Sequence, residues 1–296
     1  MLDAVSVKQE DVWLRFGQEY IMKQVDFCAA RVAHVLWEAE LEEMVQQRRK
    51  TIHLGTCKDC DLGLWLHGDG IRELYHLDSV RQLVRVHEAF HHTADRLVAL
   101  IFTDQQKNIE AEMNQLRSLS RDIVYLVTEA ELDYLEHKPL SDFSAHPVKS
   151  LIHRLFNIHI PEHGDVEQRG VLDVSYARLM HLRWSRQLLR AFQHWGKDAV
   201  LSTSESCVVG VWIKDVKSQD ETIIKIIKEL DEKHHQFHVK AEETVRLLRK
   251  KNFRASETVY NDVVALGREV LYLLTRIELA FLQSETVAAS VNVFGH

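Results

Sequence analysis

The sequence predicts an all-α protein made of two tandem antiparallel helical bundles that are related by internal duplication. Three observations support this fold class. The 296 residues include only 11 glycines and 3 prolines, so few residues interrupt helices. Apolar residues recur at helical spacing through much of the chain. A histidine-rich segment, HEAFHHTA at residues 87–94, returns as HHQFHVKA at residues 234–241, which indicates an internal repeat.

The repeat keeps one constant offset of 147 positions, the separation of His87 and His234. The segment ARVAHVLW around His34 falls on ARLMHLRW around His181, and CDLGLWL, which begins at Cys60, falls on CVVGVWI. Further along, RDIVYLVTEAEL at 121–132 falls on REVLYLLTRIEL at 268–279. The two copies align without an insertion, so we interpret the chain as a tandem duplication.

This repeat divides the chain into a first helical domain at 1–138, a connector at 139–161 and a second helical domain at 162–296. All three prolines, Pro139, Pro147 and Pro161, fall in the connector, where they disfavour a continuous helix. An apolar stripe between Val148 and Phe156 has helical spacing, so we expect the connector to be partly helical.

The helices of the first copy follow from apolar spacing and start signals. Residues 24–48 are predicted to form a helix with His34 on its buried side. Cys60 follows a polar stretch and is expected near the start of a turn or short helix. Asp78 predicts a helix running past His91 to about Phe102, and Asp104 predicts the next one. In the second copy, Asp220 and Ser256 are the expected helix starts.

Comparing the two copies isolates the candidate metal ligands. Among the histidines and cysteines, four residues stand in both copies: His34, Cys60, His87 and His91 in the first, and His181, Cys207, His234 and His238 in the second. Three neutral imidazoles and one thiolate make a closed tetrahedral set for zinc, with no position left for a reacting water. Sulfur beside imidazole nitrogen disfavours magnesium and calcium. The sequence therefore predicts two zinc ions per chain, each stapling one bundle, and no enzyme activity. Eight unrelated core residues would not explain the shared spacing.

The order of these residues resembles the chemoreceptor zinc-binding (CZB) domain. The shared pattern is His, then Cys-x-x-Gly-x-Trp, then His-x-x-Phe-His-x-x-Ala, and it covers roughly residues 20–135 and 167–284. Besides the ligands, the matching positions are Gly63, Trp65 and Phe90, and in the second copy Gly210, Trp212 and Phe237. The resemblance implies a helical bundle holding zinc through three histidines and one cysteine, in bacterial cytoplasmic signalling proteins.

In that family the domain usually sits beside a chemoreceptor signalling module or a cyclic-dinucleotide synthase, and it responds to zinc or to oxidants that attack the cysteine. Two copies of the sensor are expected here, and they leave no room for an output domain within the 296 residues. The resemblance therefore implies a signalling partner on another protein. Two packing modes remain open: an intramolecular pseudo-dimer of the two domains, or a homodimer of chains.

Charge and hydropathy exclude several other classes. The net charge of −7 argues against nucleic acid, because phosphate binding needs clustered lysine and arginine. The opening MLDAVSVKQEDVW carries acids where a secretory signal needs a basic and then apolar stretch. No run approaches the roughly 20 apolar residues that span a bilayer. We therefore expect no membrane partner, a cytoplasmic location and reduced thiols.

The cysteines leave room for redox chemistry as well as zinc binding. Cys60 and Cys207 are redox candidates because a zinc-bound thiolate is nucleophilic. Cys57 stands three residues before Cys60, whereas the second copy has Ser204 at that place, so only the first copy has a neighbouring thiol. The favoured hypothesis is a zinc- or oxidant-responsive regulatory protein. The alternative is a zinc-stapled structural or zinc-buffering protein without a sensing role.

Overall fold

The computed structural model describes residues 27–47, 55–68, 74–101, 106–137, 166–197, 199 and 201–293. These ranges contain no strand, which confirms the predicted all-α class. In the first half the helices are α1 (Phe27–Gln47), α2 (Asp61–His67), α3 (Asp78–Ile101) and α4 (Gln106–His137). In the second half they are α5 (Val166–Gln193), α6 (Val208–Asp215), α7 (Glu221–Arg249) and α8 (Phe253–Val293). The predicted connector at 139–161 lies outside the described residues. None of the described helices combines the length and the apolar character needed to cross a bilayer.

The two halves have the same order of helices: a long helix, a short helix and then two long helices. α1 covers most of the predicted segment 24–48, and His34 is buried on it. α3 begins at Asp78, as predicted, and buries a continuous face that includes His87, Phe90 and His91. Buried residues at this spacing are typical of an amphipathic helix packed on a core.

The start of α7 follows its predicted cap. Asp220 precedes the helix, and its carboxylate accepts hydrogen bonds from the backbone N–H groups of Thr222 at 2.7 Å and Ile223 at 3.2 Å. A carboxylate at this place pairs otherwise unsatisfied N–H donors and complements the helix dipole. Asp220 therefore fixes where α7 begins.

The prediction that Ser256 starts the last helix is wrong. α8 begins at Phe253, and the Asn252 side chain accepts a hydrogen bond from the Ala255 N–H. Ser256 lies inside the first turn, where its buried hydroxyl donates to the Thr244 carbonyl on α7 at 3.2 Å. Its polar side chain thus joins two helices instead of capping one.

Long antiparallel pairs form the body of each half. α3 packs along α4, and α7 packs along α8. One core lies within the first half. A second core is built by both halves, because Val35, Val124 and Leu132 join Val174, Leu230 and Leu271 in it. The halves therefore share buried apolar surface, through contacts of α8 with α1 and α4.

Polar contacts across the halves come in reciprocal pairs. Arg121 forms an ion pair with Glu269, and Arg268 forms one with Asp122 at 2.7 Å. Each arginine also lies over a tyrosine of the opposite half: Arg121 is 4.6 Å from the Tyr272 ring centroid and Arg268 is 5.3 Å from that of Tyr125. These residues correspond at the 147-residue offset. Reciprocity of this kind is what a twofold axis produces at an interface.

A buried ionic cluster lies between the halves. Arg31 pairs with Glu131, and Arg178 pairs with Glu278, again at equivalent positions. Arg178 and Glu278 have fully buried side chains. The carboxylate of Glu278 also accepts hydrogen bonds from the Cys28 thiol at 3.2 Å and the Ser175 hydroxyl at 2.9 Å. The structure thus shows the repeated arginines and glutamates as buried ion pairs.

Candidate metal centres

The first candidate centre collects ligands from three helices. His34 comes from α1, Cys60 from the start of α2, and His87 and His91 from one face of α3. All four are buried, and their ligand atoms lie within 4.8 Å of one another. His87 and His91 share a face because they stand four residues apart on a helix. The fold therefore brings together residues that are distant in sequence.

Distances within this group fit a tetrahedral zinc ion. The His87 Nε2 atom lies 3.2 Å from Cys60 Sγ and 3.1 Å from His91 Nε2. Zinc bond lengths give tetrahedral edges of about 3.3 Å between two nitrogens and about 3.6 Å between nitrogen and sulfur. The Nε2 atom of His34 is buried and has no hydrogen-bond partner among the described residues. An orphaned buried nitrogen beside three other donors is accounted for by a metal ion.

The protonation state of the histidines also suits metal binding. Burial lowers the pKa of His34 to about 4 and the pKa of His87 to about 2. In the second half, burial lowers the pKa of His234 to about 3. These imidazoles are therefore neutral near pH 7, and neutral imidazole is the form that coordinates zinc.

Each of the two candidate ligand cysteines caps a short helix. Cys60 precedes α2, and its sulfur accepts a hydrogen bond from the Gly63 N–H at 3.1 Å. Cys207 precedes α6 in the same way, with its sulfur 3.4 Å from the Gly210 nitrogen. Burial raises the pKa of the Cys207 thiol, while the backbone N–H groups of Gly210 and Val209 oppose that shift. A bound metal ion would favour the thiolate further.

The second candidate centre is less tightly assembled. His181, His234 and His238 form a buried group with ligand atoms within 4.8 Å of one another. Cys207 lies outside that group, although its sulfur is 2.9 Å from His234 Nε2. Cys207 is also partly exposed, whereas Cys60 is buried. Neither ring nitrogen of His181 has a hydrogen-bond partner among the described residues, so its lone pair is available to a metal.

Two of the remaining motif residues contact ligand histidines. The Phe90 ring packs 5.4 Å from the His34 ring, and Phe237 packs 4.4 Å from His181. Trp65 contacts Phe27 at 6.0 Å, and Trp212 is buried on α6. The two phenylalanines therefore help to hold the ligand rings in place.

The two motif glycines are explained by close backbone approach. A Cβ atom on Gly63 would lie 2.2 Å from the Cys57 carbonyl oxygen, and one on Gly210 would lie 1.7 Å from the Ser204 oxygen. Neither position tolerates a side chain while the cysteine turn keeps its shape. Cys57 itself is a free, partly exposed thiol in that turn.

We expect Gly210→Ala to push the Ser204 turn away from α6 and so move Cys207 from His234. Because the ligand geometry is then lost, zinc affinity at the second centre should fall about tenfold or more, as titration against a competing chelator would measure. The matched control is Gly267→Ala, since that Cβ would meet only the Phe237 ring at 3.4 Å. An equal loss of affinity in both variants would contradict the steric explanation.

Supporting backbone carbonyls were missed by sequence reasoning. The His34 Nδ1 atom lies 3.0 Å from the Ala30 carbonyl, and His238 Nδ1 lies 3.0 Å from the Ser202 carbonyl. His91 has the corresponding backbone partner in Gly55, which is equivalent to Ser202 at the repeat offset. These contacts leave Nε2 facing the centre. Every residue has a backbone carbonyl, so the amino-acid sequence does not indicate which carbonyls contact the ligand histidines.

Comparison with known protein families agrees with this geometry. Residues 34–98 match the chemoreceptor zinc-binding domain, a segment that runs from the ligand His34 past His91. The chain thus contains one such domain, and its four-residue group has the ligand types of a zinc centre. The family match does not extend to the second half. No curated protein and no solved structure matches the chain.

Proposed function

We propose that this protein is a cytoplasmic, bacterial zinc-binding regulator with one His3Cys centre in each half. Zinc occupancy, or oxidation of a coordinating cysteine, changes helix packing and thereby the activity of a separate signalling protein. By family resemblance, that partner acts in chemotaxis or cyclic-dinucleotide signalling. The observation that carries the proposal is the buried group of His34, Cys60, His87 and His91 inside the matched domain.

The ligand arrangement supports a switch. Zinc would tie α1, α2 and α3 together, because the four ligand candidates come from these helices and the start of α2. Cys60 both caps α2 and supplies the sulfur ligand, so loss of that ligand acts on the position of a whole helix. Four protein ligands fill a tetrahedral zinc ion, which argues for a regulatory role over an enzyme.

The contact between the halves supports communication from one centre to the other. Arg31 lies one turn before His34 on α1, and Arg178 lies one turn before His181 on α5. Both arginines belong to the buried ionic cluster. Together with the reciprocal surface ion pairs, this supports a duplicated chain that folds as an intramolecular pseudo-dimer.

Partner capture in two metal states tests the regulatory proposal. The zinc-loaded chain and the chelator-treated chain would each be immobilised and exposed to lysate, while hydrogen exchange records where helices open. A regulator predicts a signalling protein retained in one state only, with exchange changes confined to α1–α3 and α5–α7. Global unfolding on chelation without any state-dependent partner would favour the alternative, a structural staple or zinc buffer.

Oxidation should distinguish the two centres. In the first, Cys57 can condense with an oxidised Cys60 to form a disulfide, whereas Ser204 stands at the equivalent place beside Cys207. Mild hypochlorous acid or peroxide is therefore expected to give a Cys57–Cys60 disulfide in the first centre and sulfenic or higher oxidation at Cys207 in the second.

Mass spectrometry of proteolytic peptides would measure both products. Cys28 is the internal control, because burial and then Glu278 raise the pKa of its thiol to about 12, so it should stay reduced. Oxidation of Cys60 without any Cys57–Cys60 disulfide would contradict the predicted asymmetry.

A further inference from the structure

Two equivalent clefts lie between the halves, and they have diverged. In one of them, Arg186 of α5 meets α4, and its guanidinium lies 2.7 Å from Asp133, 3.4 Å from Glu136 and 3.6 Å from Glu129. The space that remains there is about 90 Å³. The Arg186 side chain thus occupies this cleft itself and pairs with three carboxylates.

The equivalent cleft, where α1 meets α8, is open. Ala39 stands where the repeat has Arg186, and the cleft measures about 270 Å³. The three carboxylates are replaced as well, because their counterparts at the repeat offset are Arg276, Ala280 and Gln283, which all line the cleft. The internal cation is therefore missing, and the three carboxylates that would pair with it are replaced by one arginine and two neutral residues.

Most charges that line this open cleft are paired with one another. Glu42 is paired with Arg117, and Glu269 is paired with Arg121. Glu38 accepts a hydrogen bond from the Tyr272 hydroxyl at 2.8 Å and is almost fully buried. Glu229 also lines the cleft, but its side chain is exposed, where water and salt screen its charge. Arg276 is half-buried and has no carboxylate within ion-pair distance among the described residues, so its guanidinium is available to an anion.

From these observations we propose that the open cleft binds a small organic monocarboxylate. Its carboxylate group pairs with the Arg276 guanidinium, the geometry that arginine favours. Its short apolar body lies against Val35, Ile226 and Leu279, which line the same cleft. The volume lies just below the range of about 300–1,000 Å³ for drug-sized ligands, so a small metabolite fits better than a nucleotide. The cleft is formed by α1, α4, α7 and α8, and two of these helices, α1 and α7, also carry His34 and His234.

Calorimetric titration of the full-length, zinc-loaded chain tests this proposal. Acetate, propionate, butyrate and benzoate would be compared with the neutral amides propionamide and benzamide. We expect at least one carboxylate to bind once per chain at millimolar concentration or below, and its amide to bind about tenfold or more weakly. Absence of carboxylate binding to the wild-type chain would overturn the proposal.

Two substitutions test whether the carboxylate binds in the open cleft. Arg276→Gln removes the proposed partner, and Ala39→Arg fills the cleft as Arg186 does in the other cleft; each should weaken binding about tenfold or more. Arg96→Gln is the matched control, since it removes the same charge from an exposed surface pair with Glu112. Unchanged binding in Arg276→Gln, or equal weakening in the control, would show that the carboxylate binds elsewhere. Helical content and zinc content of each variant verify that it is folded.

Discussion

Replacing Glu278 with glutamine is expected to lower the free energy of unfolding by about 3–5 kcal/mol. The substitution keeps the size of the side chain but removes the charge that compensates Arg178. Both side chains are fully buried, so the guanidinium would be left without its ion-pair partner in a buried site. Chemical denaturation monitored by circular dichroism would measure the loss.

Glu112→Gln serves as the control, because its partner Arg96 is more than half exposed and such pairs contribute about 1 kcal/mol or less. Although burial raises the pKa of Glu278, Arg178 and Arg31 lower it on balance. Its charge therefore stabilises the fold above the ordinary glutamate pKa of 4.5, and this stabilisation is lost as pH falls through the lowered pKa. Equal losses in the two variants, or a Glu278→Gln variant with unchanged acid sensitivity, would contradict this account.

His87→Ala is expected to abolish tight zinc binding at the first centre. His87 Nε2 contacts both Cys60 Sγ and His91 Nε2, so it lies at the middle of the ligand group. At free zinc a thousandfold above the dissociation constant, a bound ion stabilises the fold by about 4 kcal/mol. Its loss should lower the melting temperature by about 6 °C, which differential scanning calorimetry would measure.

The neighbouring histidine provides the control. His92 is exposed and takes no part in the ligand group, so His92→Ala should keep both the zinc and the melting temperature. His234→Ala and His235→Ala make the same comparison in the second half, where only the first is a ligand candidate. A variant at His87 that retains tight zinc binding would show that the four-residue group is not the metal centre.

Much of the first centre could be predicted from sequence because its ligands are side chains of particular types. Among the histidines and cysteines, only those at these four positions recur in both copies. The fold does bring His34, Cys60, His87 and His91 together. Helix positions followed for a similar reason, since apolar spacing and the Asp220 carboxylate are local signals.

Other features depend on the three-dimensional packing and could not be predicted. The carbonyls of Ala30 and Ser202 orient ligand histidines, yet any residue supplies a carbonyl. The repeated arginines were visible, but their partners across the halves were not, because Arg121 meets Glu269 only once α4 and α8 pack together. The position of Cys207 outside the group of three histidines could not be predicted either. Cys207 stands in the same Cys-x-x-Gly-x-Trp motif as Cys60, so the sequence does not distinguish the two cysteines.

The divergence of the two clefts could not be predicted from the sequence repeat. Ala39 and Arg186 are equivalent in sequence, and so are Arg276 and Glu129, but only the structure shows that Ala39 and Arg276 line one cleft while Arg186 and Glu129 line the other. A single substitution on one helix surface would not by itself indicate a ligand site. The coordinated loss of an internal cation and its carboxylates is what suggests a ligand.

Zinc stoichiometry tests the central claim most directly. The chain would be saturated with zinc, freed of loose metal by gel filtration and analysed by native mass spectrometry together with elemental analysis. Two zinc ions per chain are expected for the wild type, falling to one in His87→Ala, one in His234→Ala and none in the double variant. One zinc or none in the saturated wild type, or iron in place of zinc, would contradict the claim that each half holds a zinc centre.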